Sequence, residues 1–430
     1  MSAHIKRGRF QGLWRHRDFL KLWGGQTISV FGSLITKVAL PLVAVLSLHA
    51  TQVQVAFLYI ADALPTLTLG LLVGALADRL RRRPLLIAAD AGRTLALLSV
   101  PLAGRFGALS LGLLYAITVA TSALSVLFNA AYPAYLATLV GEDHIVEGNA
   151  KLGASYAVAE VGGFGLAGAL AQALTAPGAV LIDALTYVAS VVSLALIRAP
   201  EMRPQPTTIH HNRVRQFAHD VADGLVLIWR EPTRRSITAA NAIRTCGGSL
   251  LATALVIFIL RDLRLSPTLM GISFGVGGVT SFLGAALAQR LTNRLGLTRV
   301  LRWSLWVYEL VSLLIPLAGG PMWLAFLLIT IPQLGDAANT IYDITAQSAL
   351  QLVTPTEALG RVFAGGQVAN SIGALLGLAL GATLGVALGP RGALALAMSG
   401  MLLSPLLLSL AALAGRHTAQ LKPGAIRAQR

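Results

Sequence analysis

The sequence has little charge for its length, and this excludes an ordinary soluble protein. Only 12% of its 430 residues are Asp, Glu, Lys or Arg, whereas a soluble chain carries about 25%. A single cysteine, Cys246, excludes an internal disulfide. The sequence lacks the Gly-x-x-x-x-Gly-Lys-Ser/Thr pattern, which excludes a P-loop ATPase. All 8 histidines fall in predicted loops or tails, so we expect neither an enzyme nor a metal site.

What the chain has in abundance is apolar residues, which make up 55% of it. They fall into runs of about 18 residues or more, each long enough to cross the hydrocarbon core of a bilayer, about 30 Å thick. Turn and charge signals between these runs predict twelve transmembrane spans. In order, these spans cover residues 20–48, 52–77, 84–104, 107–138, 149–173, 177–197, 236–260, 267–289, 298–318, 321–351, 361–388 and 391–414.

Basic residues outnumber acidic residues 34 to 18, which gives a net charge of +16. They lie between the apolar runs and not on a soluble domain, so no binding of nucleic acid is predicted. With twelve spans, 27 Lys and Arg fall on the side of the termini and the central loop, and 4 fall on the other. The positive-inside rule then places both termini in the cytoplasm. We expect a multi-pass protein of the cytoplasmic membrane, that is, the inner or plasma membrane.

A charged turn occurs once in each half of the chain. Residues 74–83 read Gly-Ala-Leu-Ala-Asp-Arg-Leu-Arg-Arg-Arg, and residues 285–294 match them at six of the ten positions after an offset of 211. The repeat predicts two six-span bundles in the same orientation. The predicted parts are an N-terminal bundle at 1–198, a cytoplasmic linker loop at 199–235, a C-terminal bundle at 236–415 and a cytoplasmic tail at 416–430.

The first turn resembles the signature Gly-x-x-x-Asp-Arg-x-x-Arg-Arg of the major facilitator superfamily. The matching residues are Gly74, Asp78, Arg79, Arg82 and Arg83. The resemblance implies an all-α polytopic membrane protein with twelve transmembrane helices in two pseudo-symmetric six-helix bundles, the major facilitator fold. Segments in spans 1 and 6 and before span 11 further resemble the macrolide-efflux and siderophore-exporter-like permeases. These segments are residues 22–29, 181–187 and 359–362.

Two features of the superfamily's drug antiporters are missing from this sequence. Residues 163–168 lack the proline of the antiporter pattern Gly-Pro-x-x-x-Gly. Span 4 lacks the arginine that takes part in proton coupling in many of these antiporters. Both absences weaken a direct transfer of the family's proton-antiport mechanism to this chain.

Polar residues recur at helical spacing in spans 1, 4, 7 and 10, although lipid-facing polar positions are costly. The candidates are Gln26, Ser29, Ser33 and Lys37; Ser122, Ser125 and Asn129; Asn241 and Arg244; and Asp336, Thr340, Asp343 and Gln347. In the resembled superfamily the equivalent four helices line the central cavity, so we interpret these residues as cavity-lining. For the Ser, Thr and Asn positions, hydrogen bonding between helices is the alternative.

The charged members of these stripes are the most informative. An ion at the bilayer centre costs at least ~2.5–3.5 kcal/mol on insertion scales, so it needs a partner or water. Lys37, Arg244, Asp336 and Asp343 therefore either face a transport cavity or form structural salt bridges. A bridge between Lys37 and Asp343 is one such alternative.

Carboxylates in sites of low dielectric are well suited to exchange protons near neutral pH. Asp336 and Asp343, two turns apart on one face, are the first candidates for proton coupling, and Asp62 is a candidate for a second proton site. Asp90 and Arg93 are three residues apart, so we expect them to neutralise each other.

The aspartate of the first charged turn needs its own explanation, because acidic residues contribute little to topology. In the resembled superfamily it contacts the other half near the start of span 11 and stabilises the state closed to the cytoplasm. Arg361 lies at that start here, so an ion pair between Asp78 and Arg361 is expected. Gly74 allows the close helix approach that places Asp78. The second turn carries Gln289 instead, so the gate is expected in the first half.

The resemblance implies a secondary active transporter that exports amphipathic small molecules, drug-, macrolide- or siderophore-like, by alternating access. Antiport with protons and antibiotic resistance are part of that expectation. No cofactor is expected, because the proton gradient supplies the energy. The expected partners are a small-molecule substrate and the lipid bilayer, and the protein is expected to act as a monomer. Uptake of a nutrient or metabolite, or a non-transporting receptor, is the alternative.

Overall fold

The computed structural model describes residues 12–77, 80–141, 144–199, 201 and 213–414. Within these ranges, side chains are described except at 70–77, 213–220 and 411–414. The described residues form helices joined by short turns, with no β-strand among them. The all-α architecture predicted from the sequence is confirmed.

Six long helices in the first half of the chain correspond to predicted spans 1–6. They are α1 (Arg17–Leu42), α2 (Gln52–Ala77), α3 (Arg82–Arg105), α4 (Leu111–Val140), α5 (Ile145–Leu174) and α6 (Ala176–Ala195). A π-helical turn, Val43–Ser47, extends α1. The observed ends lie close to the predicted ones because the residues that interrupt apolar runs also bound helices. Gly141, for example, ends α4 with a φ of 74°.

The second half contains eight helices. They are α7 (Arg213–Arg230), α8 (Pro232–Ile257), α9 (Pro267–Leu295), α10 (Leu297–Ser312), α11 (Met322–Leu334), α12 (Asp336–Leu352), α13 (Leu359–Met401) and α14 (Leu403–Ala414). A π-helical turn, Phe258–Asp262, extends α8. Both α8 and α9 begin at a proline, where a missing N–H costs nothing. Glu231 and Ser266 cap their first turns.

Two predicted spans differ in detail from the helices observed. Span 10 is two helices, α11 and α12, which meet at Gly335. Pro332 lies just before this break and removes a backbone donor from the helix. Spans 11 and 12 run together as α13, which turns at Gly389, where φ is 69°. The helix resumes at Pro390 and reaches Ala414 through α14. Helical segments on either side of Gly389 therefore correspond to predicted spans 11 and 12.

The linker predicted as a polar loop at 199–235 contains α7 in its second half. Leu225 and Ile228 lie on one side of this helix, and Ile228 is buried. The backbone of Gly224 lies directly against the backbone of Arg361 at the start of α13. Because a side chain at position 224 would meet that backbone, this glycine permits the contact.

The chain divides into two compact units. Unit 1 comprises Met1–Leu48 and Ala61–Thr208, and unit 2 comprises His49–Ile60 and Ile209–Arg430. Unit 1 has an apolar core that includes Phe19, Leu86 and Leu136, all buried. Unit 2 has an apolar core around Leu305 and Tyr342.

Many large apolar side chains point outward from the helices, as expected of helices that contact lipid. Leu95 is 71% exposed, Val158 is 68% exposed and Val386 is 77% exposed. Among the described residues, nine stretches are long and apolar enough to span a membrane, and the stretch Thr356–Leu410 is 55 residues long and holds two predicted spans. Helices are the elements that satisfy their own backbone hydrogen bonds in lipid. The chain is a multi-pass integral membrane protein.

Candidate functional site

A cavity of about 570 Å³ lies within unit 2. Helices α8, α10, α12 and α13 supply its walls, and the lining mixes polar with apolar side chains. The polar lining residues include Asn241, Arg244, Thr245, Asp343, Gln347, Gln367 and Asn370. The apolar lining residues are Ala346, Leu350, Val362, Phe363 and Met401. A lining of this kind suits a small amphipathic molecule.

Close packing of α13 on α8 holds one wall of the cavity in place. A Cβ atom at Gly373 or Gly377 would meet the backbone of Ala242 or Cys246 on α8. These contacts are therefore made between helix backbones, with no side chain in between. They lie on either side of Arg244 and fix the part of α8 that carries it.

Arg244 is the centre of the charged group in the cavity. Its Nη1 donates to Asp343 Oδ1 at 3.0 Å, and its Nη2 donates to Asn339 Oδ1. The guanidinium carbon lies 4.5 Å from the centre of the Tyr342 ring, a cation–π contact. Tyr342 in turn donates its hydroxyl to Asn241 Oδ1 at 2.8 Å. With the Tyr308 ring centre 5.8 Å away as well, Arg244 is held by one carboxylate, one amide and two aromatic rings.

A second carboxylate, Glu309 of α10, lies on the other side of Arg244. Its Oε1 is 3.8 Å from Arg244 Nε, which is beyond hydrogen-bonding distance. The Glu309 side chain is 0% exposed, whereas that of Asp343 is 56% exposed. Neither oxygen of Glu309, nor Arg244 Nε, has a hydrogen-bond partner among the residues that the structure describes. One arginine therefore lies between a solvated carboxylate and a buried one.

The break at Gly335 separates the residues predicted to share a face of span 10. Asp343 and Gln347 line the cavity, whereas Asp336 and Thr340 are not among its lining residues. The Asp336 carboxylate lies against Gly277 of α9. The predicted members of span 7, Asn241 and Arg244, both line the cavity.

The predicted polar residues of span 1 lie mostly in the interior of unit 1. Gln26 Nε2 donates to Ser190 Oγ of α6 at 3.1 Å. The hydroxyls of Ser33 and Tyr187 are 2.8 Å apart. Ser29 is buried. These contacts are hydrogen bonds between helices, the alternative that the sequence analysis left open.

The other predicted residues of unit 1 are more open. Lys37, Asp62 and Asn129 are exposed, and the Lys37 charge interacts with that of Asp62. Ser122 donates to the backbone carbonyl of Asp62 at 2.6 Å. Ser125 donates to a carbonyl of its own helix.

A buried ion pair joins the helices of unit 1. Arg93 Nη1 donates to Asp90 Oδ1 at 2.8 Å, so the predicted neutralisation of these two residues is confirmed. The other oxygen of Asp90 accepts a hydrogen bond from Ser190 Oγ at 2.6 Å. Arg93 also donates to the carbonyl of Leu124 on α4 and lies over the Phe128 ring.

The charged turn is described only in part. Asp78 and Arg79 lie outside the described residues, and Gly74 lies in α2 where side chains are not described. The two arginines that follow are anchored within unit 1. The guanidinium of Arg82 donates to Ala134 O at 3.2 Å, and that of Arg83 donates to Leu194 O at 2.8 Å. The turn therefore fastens the start of α3 to α4 and α6.

Arg361, the predicted partner of Asp78, has a carboxylate partner within unit 2. Its Nη1 is 3.3 Å from Asp223 Oδ2 on α7, and both side chains are 39% exposed. The linker helix thus meets the start of α13 through an ion pair and through Gly224. This contact was not predicted, because the linker was expected to be a polar loop without a helix.

Two bundles of membrane-spanning helices, with a polar and charged cavity in one of them, define a transporter of the major facilitator class. The sequence profile of the transmembrane secretion effector family matches residues 12–428. The chain belongs to this family of major facilitator transporters. The family is one of transporters, and the chain is not an enzyme.

One sequence relative and two solved structures are also similar to this chain, and the solved structures share its fold. An uncharacterised major facilitator-type transporter of Bacillus subtilis (strain 168), YfiS, is 25% identical over 374 residues, which cover 84% of this chain and 85% of YfiS. A bacterial homologue of the iron transporter ferroportin, solved in an inward-facing state, has a TM-score of 0.74 and 18% identity. It covers 93% of this chain and 99% of its own. The nucleoside transporter NupG has a TM-score of 0.67 at 12% identity, covering 92% of this chain and 99% of its own.

Proposed function

We propose that the chain exports amphipathic small molecules across the cytoplasmic membrane by alternating access, in exchange for protons. The observation that carries this proposal is the unit 2 cavity, which is lined by Arg244, Asp343, Phe363 and Met401, with the buried Glu309 3.8 Å from Arg244. Apolar walls suit the body of such a substrate, and the charged group suits its polar end. A buried carboxylate next to a cavity suits a group that carries a proton.

The direction of transport draws its support from the family, whose description is secretion. The solved structures of similar fold do not favour one substrate, since one is a homologue of an iron transporter and another is a nucleoside transporter. Macrolide- and siderophore-like compounds stay within the proposal as amphipathic molecules of suitable chemistry. Resistance to an antibiotic would follow from export of that compound.

Accumulation assays test the proposal directly. A strain that lacks the gene should accumulate an amphipathic dye or drug faster than the same strain with the gene restored. A protonophore should abolish the difference, because it removes the proton gradient. Lower accumulation in the deletion strain would indicate uptake instead. No flux of any compound in either direction would favour a receptor.

We also propose that both termini and the linker face the cytoplasm, as the charge distribution predicts. The chain has one cysteine, so a Cys246→Ser background allows single-cysteine labelling. A cysteine at Gln205 in the linker should resist a membrane-impermeant maleimide in intact cells. A cysteine at Ala108, in the exposed turn between α3 and α4, should react. The reverse pattern would overturn the proposed topology.

The gate proposed for the charged turn rests on Asp78. Asp78→Asn should lower transport without lowering the amount of protein in the membrane. The reason is that loss of the Asp78 charge would destabilise the state closed to the cytoplasm and not the fold. Gln289→Asn, at the matching position of the second turn, is the control. Normal transport by Asp78→Asn at normal abundance would exclude the gate.

A further inference from the structure

Arg244 faces two carboxylates and forms hydrogen bonds with one of them. We infer that Arg244 is shared between Glu309 and Asp343, so that a proton on Glu309 and a cationic substrate on Asp343 exclude each other. The inference rests on the proposed function and names its substrate class, a monovalent amphipathic cation such as a hydrophobic amine. It also names the residue that carries the proton.

The described arrangement corresponds to the protonated form of Glu309. An ionised carboxylate that is 0% exposed and lacks a hydrogen-bond partner would be strongly unfavourable. The Ser404 hydroxyl comes near Glu309, but it donates to Met401 O at 2.7 Å. With Glu309 neutral, Arg244 and Asp343 balance each other's charge through their 3.0 Å contact.

Loss of the proton from Glu309 to water in the cavity would change this balance. Arg244 Nε and Glu309 Oε1 face each other across 3.8 Å, and both lack a hydrogen-bond partner among the described residues. A charge-assisted hydrogen bond is about 2.7–2.9 Å long, so a movement of about 1 Å would form it. Arg244 would then compensate the Glu309 charge, and the exposed Asp343 carboxylate would need another cation.

The position of Asp343 is suited to receive that cation. Its side chain is 56% exposed and lines the cavity. Phe363, Val362 and Met401 line the same cavity and offer apolar contact to the remainder of the ligand. One proton leaves Glu309 for each monovalent cation that binds, so the charge of the site is the same before and after the exchange.

Besides Arg244, the charges near Glu309 come from α12, whose Asp336 and Asp343 both interact with the neighbouring Tyr308. Arg244 of α8 and Tyr342 of α12 face it, Tyr308 lies beside it on α10, and Asp343 lies across Arg244. Helices α11 and α14 have no charged residue in their sequences. The charged residues of the other neighbouring helices, α9 and α13, are Arg290, Arg294, Arg361 and Arg391, none of which lines the cavity.

Binding of ethidium, a monovalent amphipathic cation, to the purified full-length protein tests the inference. We expect the wild-type affinity to fall at least tenfold between pH 8 and pH 6, with about one proton released for each ethidium bound at pH 6 and far less at pH 8. Glu309→Gln should bind at least tenfold more weakly than wild type at pH 8, with no change between pH 8 and pH 6. Asp343→Asn should bind ethidium weakly at both pH 8 and pH 6.

Controls separate this outcome from a general loss of structure. Glu357→Gln makes the same chemical change at an exposed position of unit 2, and it should keep the wild-type pH dependence. Glu309→Asp retains a carboxylate, so it should also keep a pH dependence. Persistent pH dependence in Glu309→Gln would overturn the inference. Wild-type binding of an anionic dye such as anilinonaphthalene sulfonate, without binding of ethidium, would also overturn it.

Proteoliposomes distinguish failure of the inference from failure of the proposed function. Ethidium export driven by a pH gradient, combined with pH-independent binding, would overturn the inference and leave proton-coupled export intact. Coupled binding of proton and cation without gradient-driven flux would overturn the proposed export and leave the shared arginine intact.

Discussion

Each unit of the molecule contains an arginine paired with a carboxylate, Arg93 in unit 1 and Arg244 in unit 2, and the two arginines are in very different surroundings. In unit 1 the Asp90 carboxylate paired with Arg93 has hydrogen bonds on both oxygens. The Asp90 side chain is 0% exposed and that of Arg93 is 6% exposed. In unit 2 Arg244 forms its ion pair with a carboxylate that is 56% exposed, and a second carboxylate lies 3.8 Å away.

The difference indicates which charges hold the fold together and which are free to change partners. The buried Asp90 carboxylate accepts hydrogen bonds on both oxygens and has no better partner, so the pair stabilises one packing of α3, α4 and α6. Arg244 lies close to two carboxylates, so it has two arrangements of similar chemistry, one paired with Asp343 and one paired with Glu309. Substrate exchange requires such alternatives, because a ligand shifts an equilibrium only between states that already exist.

The largest effect is expected from breaking the ion pair of unit 1. Arg93→Leu leaves Asp90 buried without its cation and should lower the free energy of unfolding by about 3–5 kcal/mol. Asp343→Asn, which removes the carboxylate charge from the ion pair of unit 2, should cost far less, since the Asp343 side chain is 56% exposed. Thermal unfolding of the detergent-purified variants, followed by tryptophan fluorescence, measures both.

The double variant Asp90→Leu with Arg93→Leu tests the reason for that loss. Replacing a whole buried pair by apolar residues is often nearly neutral. We therefore expect the double variant to recover most of the stability lost in Arg93→Leu. A double variant as unstable as the single one would show that the arginine acts through other contacts, such as that with Leu124 O.

The two charged turns provide the second comparison. Arg83 donates to Leu194 O at 2.8 Å and to Ala195 O at 2.6 Å, at the carboxyl end of α6. Hydrogen bonds of charged groups contribute about 1.5–3 kcal/mol, so Arg83→Gln should lower the free energy of unfolding by an amount in this range. Arg290→Gln, at an exposed position of the second charged motif, which the structure shows as the last part of α9, should change it by less than about 0.5 kcal/mol. Equal losses of unfolding free energy in the two variants would contradict the expectation that only the first charged motif stabilises the fold.

Apolar length and turn chemistry are local properties, so most of the helices could be predicted from the sequence. The break in span 10 was also within reach, because Pro332 and Gly335 both interrupt a helical pattern. Likewise, the apolar spacing of α7 is visible in residues 213–230 but was outweighed by the polar composition of the linker. The break in span 10 and the helix α7 are therefore both visible in the sequence.

Glu309 could not be assigned from the sequence, for a different reason. A search for polar stripes finds residues that repeat along one helix, and Glu309 is a lone acid on α10. Its significance comes from Arg244 on α8, 65 positions away in the sequence. Pairing across helices depends on how the backbones pack, and no pattern within either helix contains that information. Arg244 itself was predicted, because it belongs to a stripe.

Helix packing gives a third comparison and a smaller expected effect. Gly377 lies against the backbone of α8, whereas the nearest atoms to Gly162 of α5 belong to the Phe31 ring, at 2.5 Å from an added Cβ. A ring can rotate away, but a backbone cannot. Gly377→Ala should therefore cost about 1–3 kcal/mol through overpacking, and Gly162→Ala should cost less. Thermal unfolding of the two variants measures this, and a larger loss for Gly162→Ala would reverse the interpretation.

The smallest effect is expected from the ion pair between the linker helix and α13. The charged atoms of Arg361 and Asp223 are 3.3 Å apart, little farther than the 2.8 Å of Arg93 and Asp90. Both side chains are 39% exposed, however, and water and salt screen such pairs. Arg361→Gln should lower the free energy of unfolding by less than about 1 kcal/mol, and added salt should remove the difference from wild type.

A double-mutant cycle with Asp223→Asn isolates the pair from other effects of the arginine. The coupling between the two substitutions should stay within the limit of about 1 kcal/mol typical of exposed pairs. Because the distances in the two pairs are similar, burial is the variable that distinguishes them. A coupling as large as the loss in Arg93→Leu would mean that distance, and not burial, sets the contribution. In that case the exposed Asp343 would also be too firmly bound to Arg244 to release it to a substrate.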